Sequence, residues 1–295
     1  MKLSRYIFGT TRLGHSDVPD ERAREVARAA VAAGVWFHTS RQYDDALEIL
    51  AQVYDEDRSA MPPTIYKIGG KDLADVRSVI RQNLEPLKRG RMEVGQISPG
   101  GSIGQGLVDG SVIAGFEQLR EQGLVQKFVL EVFPWTSPTA LAALRKGHLD
   151  GLVEAYIFYL NPLQRFASNE LWDELVAREL PIIAMRTVAG GNVHRLRDVP
   201  GAAWKPYLAE RARLVAPIFE RSGIADWSEF CVRFAHSIPG VRATVGATSR
   251  PQGLAELLRH ARDPKPLPAG IVEEIFTLHR KWSADVDVHG QPGSM

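Results

Sequence analysis

The segment FHTSRQY, residues 37–43, carries His38, Arg41 and Tyr43 just after the strand-like VWF. An imidazole, a guanidinium and a phenol leaving one strand end can give or take a proton and grip an anion. Lys67 ends the apolar run TIYKI, where a lysine is seldom a solvated charge. Glu131 closes the apolar run KFVLEV, where an unpaired carboxylate is costly, so it partners Lys67, Arg186 or Arg41, or binds something. Arg186 ends PIIAMR, and its guanidinium can fork onto a carboxylate or phosphate. Each residue also has a plainer reading. Tyr43 fits a rim tyrosine, His38 a core-edge histidine bonded to a backbone carbonyl, and Ser98 a turn residue ahead of Pro99.

These residues fall at the ends of regularly spaced elements. Short apolar, β-branched runs recur at 6–10, 35–39, 64–68, 93–97, 127–132, 151–157, 181–186 and 242–246. Helix-period stretches separate them at 21–33, 45–55, 73–86, 111–122, 138–146 and 168–179, then as a pair at 206–221 and 227–237, with 251–261 after the last strand. Eight strand–helix alternations with near-continuous apolar strands predict a single α/β domain over residues 1–295, a (β/α)8 TIM barrel. Such a barrel carries its chemistry at the C-terminal ends of the strands. That rule selects His38, Arg41, Tyr43, Lys67, Ser98, Glu131, Tyr156, Asn161, Arg186 and the stretch 246–250. The segment 188–206 exceeds an ordinary loop and reads as a lid, and 284–295 as a flexible tail.

Composition narrows the partners. The 36 Lys and Arg balance 35 Asp and Glu, with no basic block, which argues against nucleic acid or an anionic membrane surface. The lone Cys231 excludes an internal disulfide or a cysteine metal cluster, and the histidines show no metal-ligand spacing. No apolar run reaches the roughly 18 residues of a membrane span, and MKLSRYIFG lacks the apolar core of a signal peptide, so a cytoplasmic protein is expected. GGSIGQG lacks the spacing and acidic residue of a dinucleotide loop, and GGK lacks the rest of a P-loop.

In order along the chain, FGTTRLG, AAGVWFHTSRQY, YKIGG, LREQGLVQKF, YLNPLQR and VGATSRPQGLAELL resemble the aldo-keto reductases over about Phe8 to Leu258. The resemblance implies carbonyl reduction with NADPH by a tyrosine acid, a lysine that lowers its pKa, an aspartate paired with that lysine, and a substrate-orienting histidine. Tyr43 and Lys67 fall on the tyrosine and lysine positions, whereas His38 replaces the aspartate and Ser98 the histidine. At the contacts the family makes with nicotinamide stand Glu131 and Val132, Tyr156 or Ile157, and Met185 beside Arg186. Ser249 and Arg250 match the grip on the 2′-phosphate of NADP(H), and Glu256 lies near the adenine position, with Leu257 in place of an asparagine.

Three expectations follow. Lys67 loses its usual carboxylate and should have a lowered pKa, so it would stabilise a phenolate poorly. His38, Tyr43 and Lys67 should cluster, while Glu131 and Arg186 should meet and compensate each other where nicotinamide would lie. The resulting reading is a barrel with a rewritten nicotinamide pocket that binds a small polar ligand, a sugar or a hydroxy or keto acid, for chemistry other than standard carbonyl reduction. Its alternatives are a working NADPH-dependent reductase using Tyr43, Lys67 and His38, and a nucleotide- or ligand-binding regulatory protein without turnover.

Overall fold

The computed structural model describes residues 1–284; the expected tail, apart from Ala284, lies outside them. Strands β1 (Tyr6–Gly9), β2 (Trp36–Thr39), β3 (Thr64–Lys67), β4 (Met92–Ile97), β5 (Val125–Glu131), β6 (Val153–Asn161), β7 (Ile182–Met185) and β8 (Val241–Ala247) form one parallel sheet. Its order is β5-β4-β3-β2-β1-β8-β7-β6, and β6 pairs back onto β5, so the sheet closes into the expected (β/α)8 barrel. Gln164–Arg165 folds back antiparallel on the end of β6.

Helices α1 (Asp20–Ala32), α2 (Ala46–Glu56), α3 (Leu73–Leu84), α4 (Gly101–Asp109), α5 (Ile113–Glu121), α6 (Ser137–Arg145), α7 (Asn169–Ala177), α8 (Val193–Asp198), α9 (Pro206–Arg221), α10 (Trp227–His236), α11 (Pro251–Arg262) and α12 (Ala269–Ala284) follow in chain order. Helix α8 falls inside the stretch 188–206. It packs Val193 and Leu196 into the core, so that stretch is partly helical.

The period-2 alternation of the strands separates two cores. Ile7, Ile65, Val94, Val129, Ile157, Ile183, Met185 and Val245 fill the barrel interior. Their neighbours Phe8, Tyr66, Phe128, Leu130, Tyr156, Phe158 and Ala184 pack outward under the helices. The same alternation decides which polar residues at the strand ends can face the mouth.

Candidate active site

His38 follows the outward Phe37 and turns into the barrel, where it is buried and its Nε2 lies 2.7 Å from Oε1 of Gln96 on β4. Burial, and then the charge of Lys67, hold its imidazole down to about 3 against the opposing bond to Gln96, so His38 is neutral at ordinary pH. It forms part of the floor beneath the mouth. The polar strand-end histidine of the sequence is therefore a satisfied core group, bonded to a side chain rather than to the backbone.

Tyr43 stands in the turn that feeds α2, its N–H donating to Ser40 O at 3.1 Å and its carbonyl accepting from Ala46 N at 2.9 Å. Gly14 seats that turn: a Cβ there would lie 2.3 Å from Asp45 N, so only glycine lets the loop after β1 approach so closely. The Tyr43 and His38 ring centroids are 6.2 Å apart, and Lys67 Nζ lies 5.7 Å from the Tyr43 ring centroid. Asn83 of α3, fully buried, ties the corner together. It accepts from Arg41 N at 2.9 Å and donates to Lys67 O at 3.2 Å, joining the turn after β2 to the end of β3.

Lys67 is not without a carboxylate. Glu131 of β5, whose side chain is 4% exposed, reaches its Nζ at 3.1 Å. Burial alone pulls the lysine down, but Glu131 first, then the phenols of Tyr43 and Tyr159, outweigh it, and Lys67 lies above its ordinary value. The expected lowering is thus reversed, because a side chain three strands from His38 takes the place of the absent aspartate. Burial pushes the Tyr43 phenol up, and the Lys67 ammonium opposes that rise.

A cleft of about 280 Å³ opens over this ion pair, lined among others by Arg41, Lys67, Ser98, Glu131, Gly70 and Phe133. Arg41 is exposed, while Ser98 is half-buried against Gly69. The structure therefore brings Arg41, Lys67, Ser98 and Glu131 to one cleft with Tyr43 beside it. Tyr156 is not among them: alternation turns it outward beneath the helices, and Ile157 takes the inner position. Nor do Glu131 and Arg186 compensate each other, since Glu131 pairs with Lys67 and the Arg186 guanidinium stacks 4.1 Å from the Trp204 ring centroid.

A second cleft, about 370 Å³, lies where β8 meets α11, lined among others by Asn192, Asp226, Thr248, Arg250, Glu256 and Leu257. Arg250 caps the N-terminus of α11, is exposed, and forms no ion pair among the described residues. Its N–H donates to Thr248 Oγ1 at 3.1 Å. Thr248, rather than Ser249, lines this cleft. A free guanidinium on a helix N-terminus suits a phosphate group.

Four residues of the site escape a reading of strand ends alone: Gln96, Asn83, Tyr159 and Trp204. Alternation from Val94 points to Gln96, and from Ile157 to Tyr159, whereas nothing local marks Asn83 or Trp204. Among the described residues no group of three or more His, Cys, Asp or Glu is placed to hold a metal, and no helix is long and apolar enough to cross a membrane.

No protein-family model and no curated protein matches the chain. Solved structures do. An aldo-keto reductase from Bacillus halodurans in its holo form superposes with a TM-score of 0.71 at 17% identity, covering 95% of this chain and 98% of that one. An aldo/keto reductase from Klebsiella pneumoniae in complex with NADP and acetate gives a TM-score of 0.67 at 16% identity, covering 94% and 91%. A Klebsiella pneumoniae aldo-keto reductase with NADPH gives 0.66 at 14%, with the same coverage. At such identities the agreement lies in the path of the chain and the closure of the barrel, and by that measure this protein has the fold of the aldo-keto reductases.

Proposed function

We propose that this chain is an NADP(H)-dependent oxidoreductase acting on a small polar carbonyl compound, a sugar or keto acid, with its lysine-pairing carboxylate supplied by β5. The observation that carries this reading is the Lys67–Glu131 ion pair at 3.1 Å beside Tyr43. A phenol with an ordinary pKa near 10 is a usable acid at neutral pH only when a cation stabilises the phenolate. Glu131 keeps Lys67 protonated, so the cation is present across the working range. Tyr43 gives its proton to the carbonyl oxygen as that oxygen gains charge, and Lys67 steadies the phenolate left behind. Arg41 and Ser98, which line the same cleft, orient the polar substrate. His38 serves as a neutral floor bonded to Gln96 and takes no proton.

The chain's residues fit NADP(H) at one end. Arg250 pairs with no carboxylate among the described residues and stands at the α11 N-terminus, which suits the 2′-phosphate, with Glu256 nearby. Bound NADPH would supply the hydride. The two similar Klebsiella folds solved with NADP and acetate and with NADPH support this choice of cofactor.

A second reading rests on the opposite end of that path. Ile157 and Met185, buried in the barrel interior, offer no hydrogen bonds to a carboxamide, and Glu131 is already paired. This favours a barrel that binds a small polar ligand for non-redox proton transfer, or without turnover as a regulatory protein. Titration with NADPH and NADH, followed by a panel of aldehydes, ketones and 2-oxo acids, separates the two. The oxidoreductase reading expects NADPH binding and turnover at about 1 per second or faster that Tyr43→Phe abolishes. Binding without oxidation of NADPH on any substrate would leave the second reading standing.

A further inference from the structure

The end of β7 is built around an arginine that no carboxylate neutralises among the described residues. Met185 faces the barrel interior, so strict alternation would send Arg186 outward. Instead Arg186 adopts φ +53°, a left-handed backbone that is unfavourable for a non-glycine residue and is kept only where its surroundings enforce it. They do so here. Asn161 Nδ2 donates to Arg186 O at 3.0 Å, Ala189 N donates to the same oxygen at 2.9 Å, and Thr187 Oγ1 donates to Val245 O at 3.1 Å.

The guanidinium is then held between aromatic faces, 4.1 Å from the Trp204 ring centroid and 5.5 Å from that of Tyr159. Gly190, at φ +85°, lets it close down: a Cβ there would meet Arg186 Nη2 at 3.0 Å. No carboxylate pairs with Arg186 among the described residues. Arg186 Nε and Trp204 Nε1 are both buried donors without an acceptor among the described residues. An orphan buried donor is costly, and two on stacked neighbours mark a place prepared for an acceptor from outside.

We propose that Arg186 and Trp204 form an oxyanion-binding site at the rim of the mouth, for a carboxylate or phosphate group of the bound ligand. Stacking leaves the N–H edge of the guanidinium free to fork onto two oxygens, and the indole N–H adds a third donor. Tyr159, whose ring centroid lies 5.5 Å from the Arg186 guanidinium, packs against the barrel interior, the same side as Lys67 and Glu131. A ligand anchored by its anion at Arg186 would therefore present its reacting carbon toward Tyr43. This gives the substrate of the proposed oxidoreductase a negative charge and rests on that reading only for the ligand's identity. Simple anions test the site whether or not hydride transfer occurs.

The experiment is calorimetric titration of the full chain with 2-oxobutanoate and, separately, inorganic phosphate, with and without NADP present. One of the two anions is expected to bind saturably, with affinity reduced roughly 10- to 100-fold in Arg186→Gln and partly restored in Arg186→Lys. Trp204→Phe, which keeps an aromatic face but is smaller and lacks the indole N–H, should weaken binding roughly fivefold, and urea unfolding of each variant guards against a folding defect. Carboxylate binding that persists with NADP present assigns the site to the substrate, and phosphate binding that NADP displaces assigns it to the nucleotide. If neither anion saturates below about 10 mM, or if Arg186→Gln binds as well as the parent, the proposal is overturned.

Discussion

Glu131→Gln removes the charge beside Lys67 on which the proposed proton donor depends while keeping the side chain's volume. At 3.1 Å and an effective dielectric of 20, the attraction between Lys67 and Glu131 is roughly 5 kcal/mol. Breaking a buried pair from one side typically costs about 3–5 kcal/mol, and the 17% exposure of the Lys67 side chain, which lets water screen the orphaned ammonium, places this loss near 3 kcal/mol. The pH dependence gives the loss a signature. In the parent, Lys67 lies above its ordinary value, so its contribution is complete below the ordinary lysine pKa and is lost only as pH rises through the higher folded value. In the variant, only the weaker influence of the Tyr43 and Tyr159 phenols opposes burial, and Lys67 is expected to fall below its ordinary value. The unfolded chain then binds the proton more readily, and the variant gains stability as pH rises toward about 10. Urea unfolding at pH 6, 7.5 and 9 should therefore show a gap of about 3 kcal/mol that narrows with pH. Adding Lys67→Met to Glu131→Gln should recover most of it. Turnover of the single variant should acquire a falling limb on the alkaline side as Lys67 loses its proton. A gap under about 0.5 kcal/mol, or one that does not change with pH, would show that the pair is a solvated surface contact and refute the reasoning.

Asn83→Ala should destabilise the protein by about 1–3 kcal/mol, read by urea unfolding, because it leaves the Arg41 N–H without its partner, and should lower turnover by loosening the end of β3. Gly14→Ala should cost about 1–3 kcal/mol in the same assay, since the new methyl meets the backbone that starts α2 and displaces the Tyr43 turn. Arg250→Ala should erase any preference for NADPH over NADH in a binding titration, and equal affinities in the parent would remove the phosphate assignment. The His38 ring should show no titration by NMR between pH 5 and 8, because its folded pKa is held down to about 3; its contribution to stability is complete above about 6.5 and falls with pH below that value.

The barrel was legible because all eight strands announce themselves as apolar runs with helix-period segments between them, and the observed strands fall on or within about two residues of those runs, except that β6 continues to Asn161, four residues past its run. Helix α4 was not legible. Its glycines at 101, 104 and 106 argue against a helix on propensity, yet a Cβ at Gly104 would meet Pro99 O at 2.4 Å and one at Gly106 would meet Val112 Cγ1 at 2.3 Å. Close packing selected glycine there, and tertiary contact overrode propensity. In the site, alternation would have rejected Tyr156 in favour of Ile157 had the register of β6 been known. The partner of Glu131 could not be chosen among three cations, because that choice depends on the stagger between strands separated in sequence by more than sixty residues. The expected lowering of Lys67 failed for the same reason: the missing charge was sought on the neighbouring strand.

Moving the carboxylate from the β2 position to β5 keeps the charge of the corner but changes the space around it. His38, uncharged and bonded to Gln96, offers no counter-charge beneath Lys67, and Glu131 supplies it instead. Glu131 reaches the ammonium from the cleft side, since both residues line the same 280 Å³ opening. The carboxylate therefore stands where a ligand enters, and it repels an anionic group placed directly over Lys67. An anionic substrate must carry its charge elsewhere, and Arg41 on one side and Arg186 on the other are the cations at the rim available to receive it. Under the proposed function, the carboxylate inside the cleft and the guanidinium at the end of β7, unpaired among the described residues, favour one orientation in which the carbonyl approaches Tyr43 and the charged end points away from Glu131. Under the oxidoreductase reading, KM for a 2-oxo acid should fall in Glu131→Gln while kcat also falls, and KM for an uncharged aldehyde should stay unchanged. A KM that moves equally for both substrates would mean that Glu131 acts only through Lys67 and does not select charge.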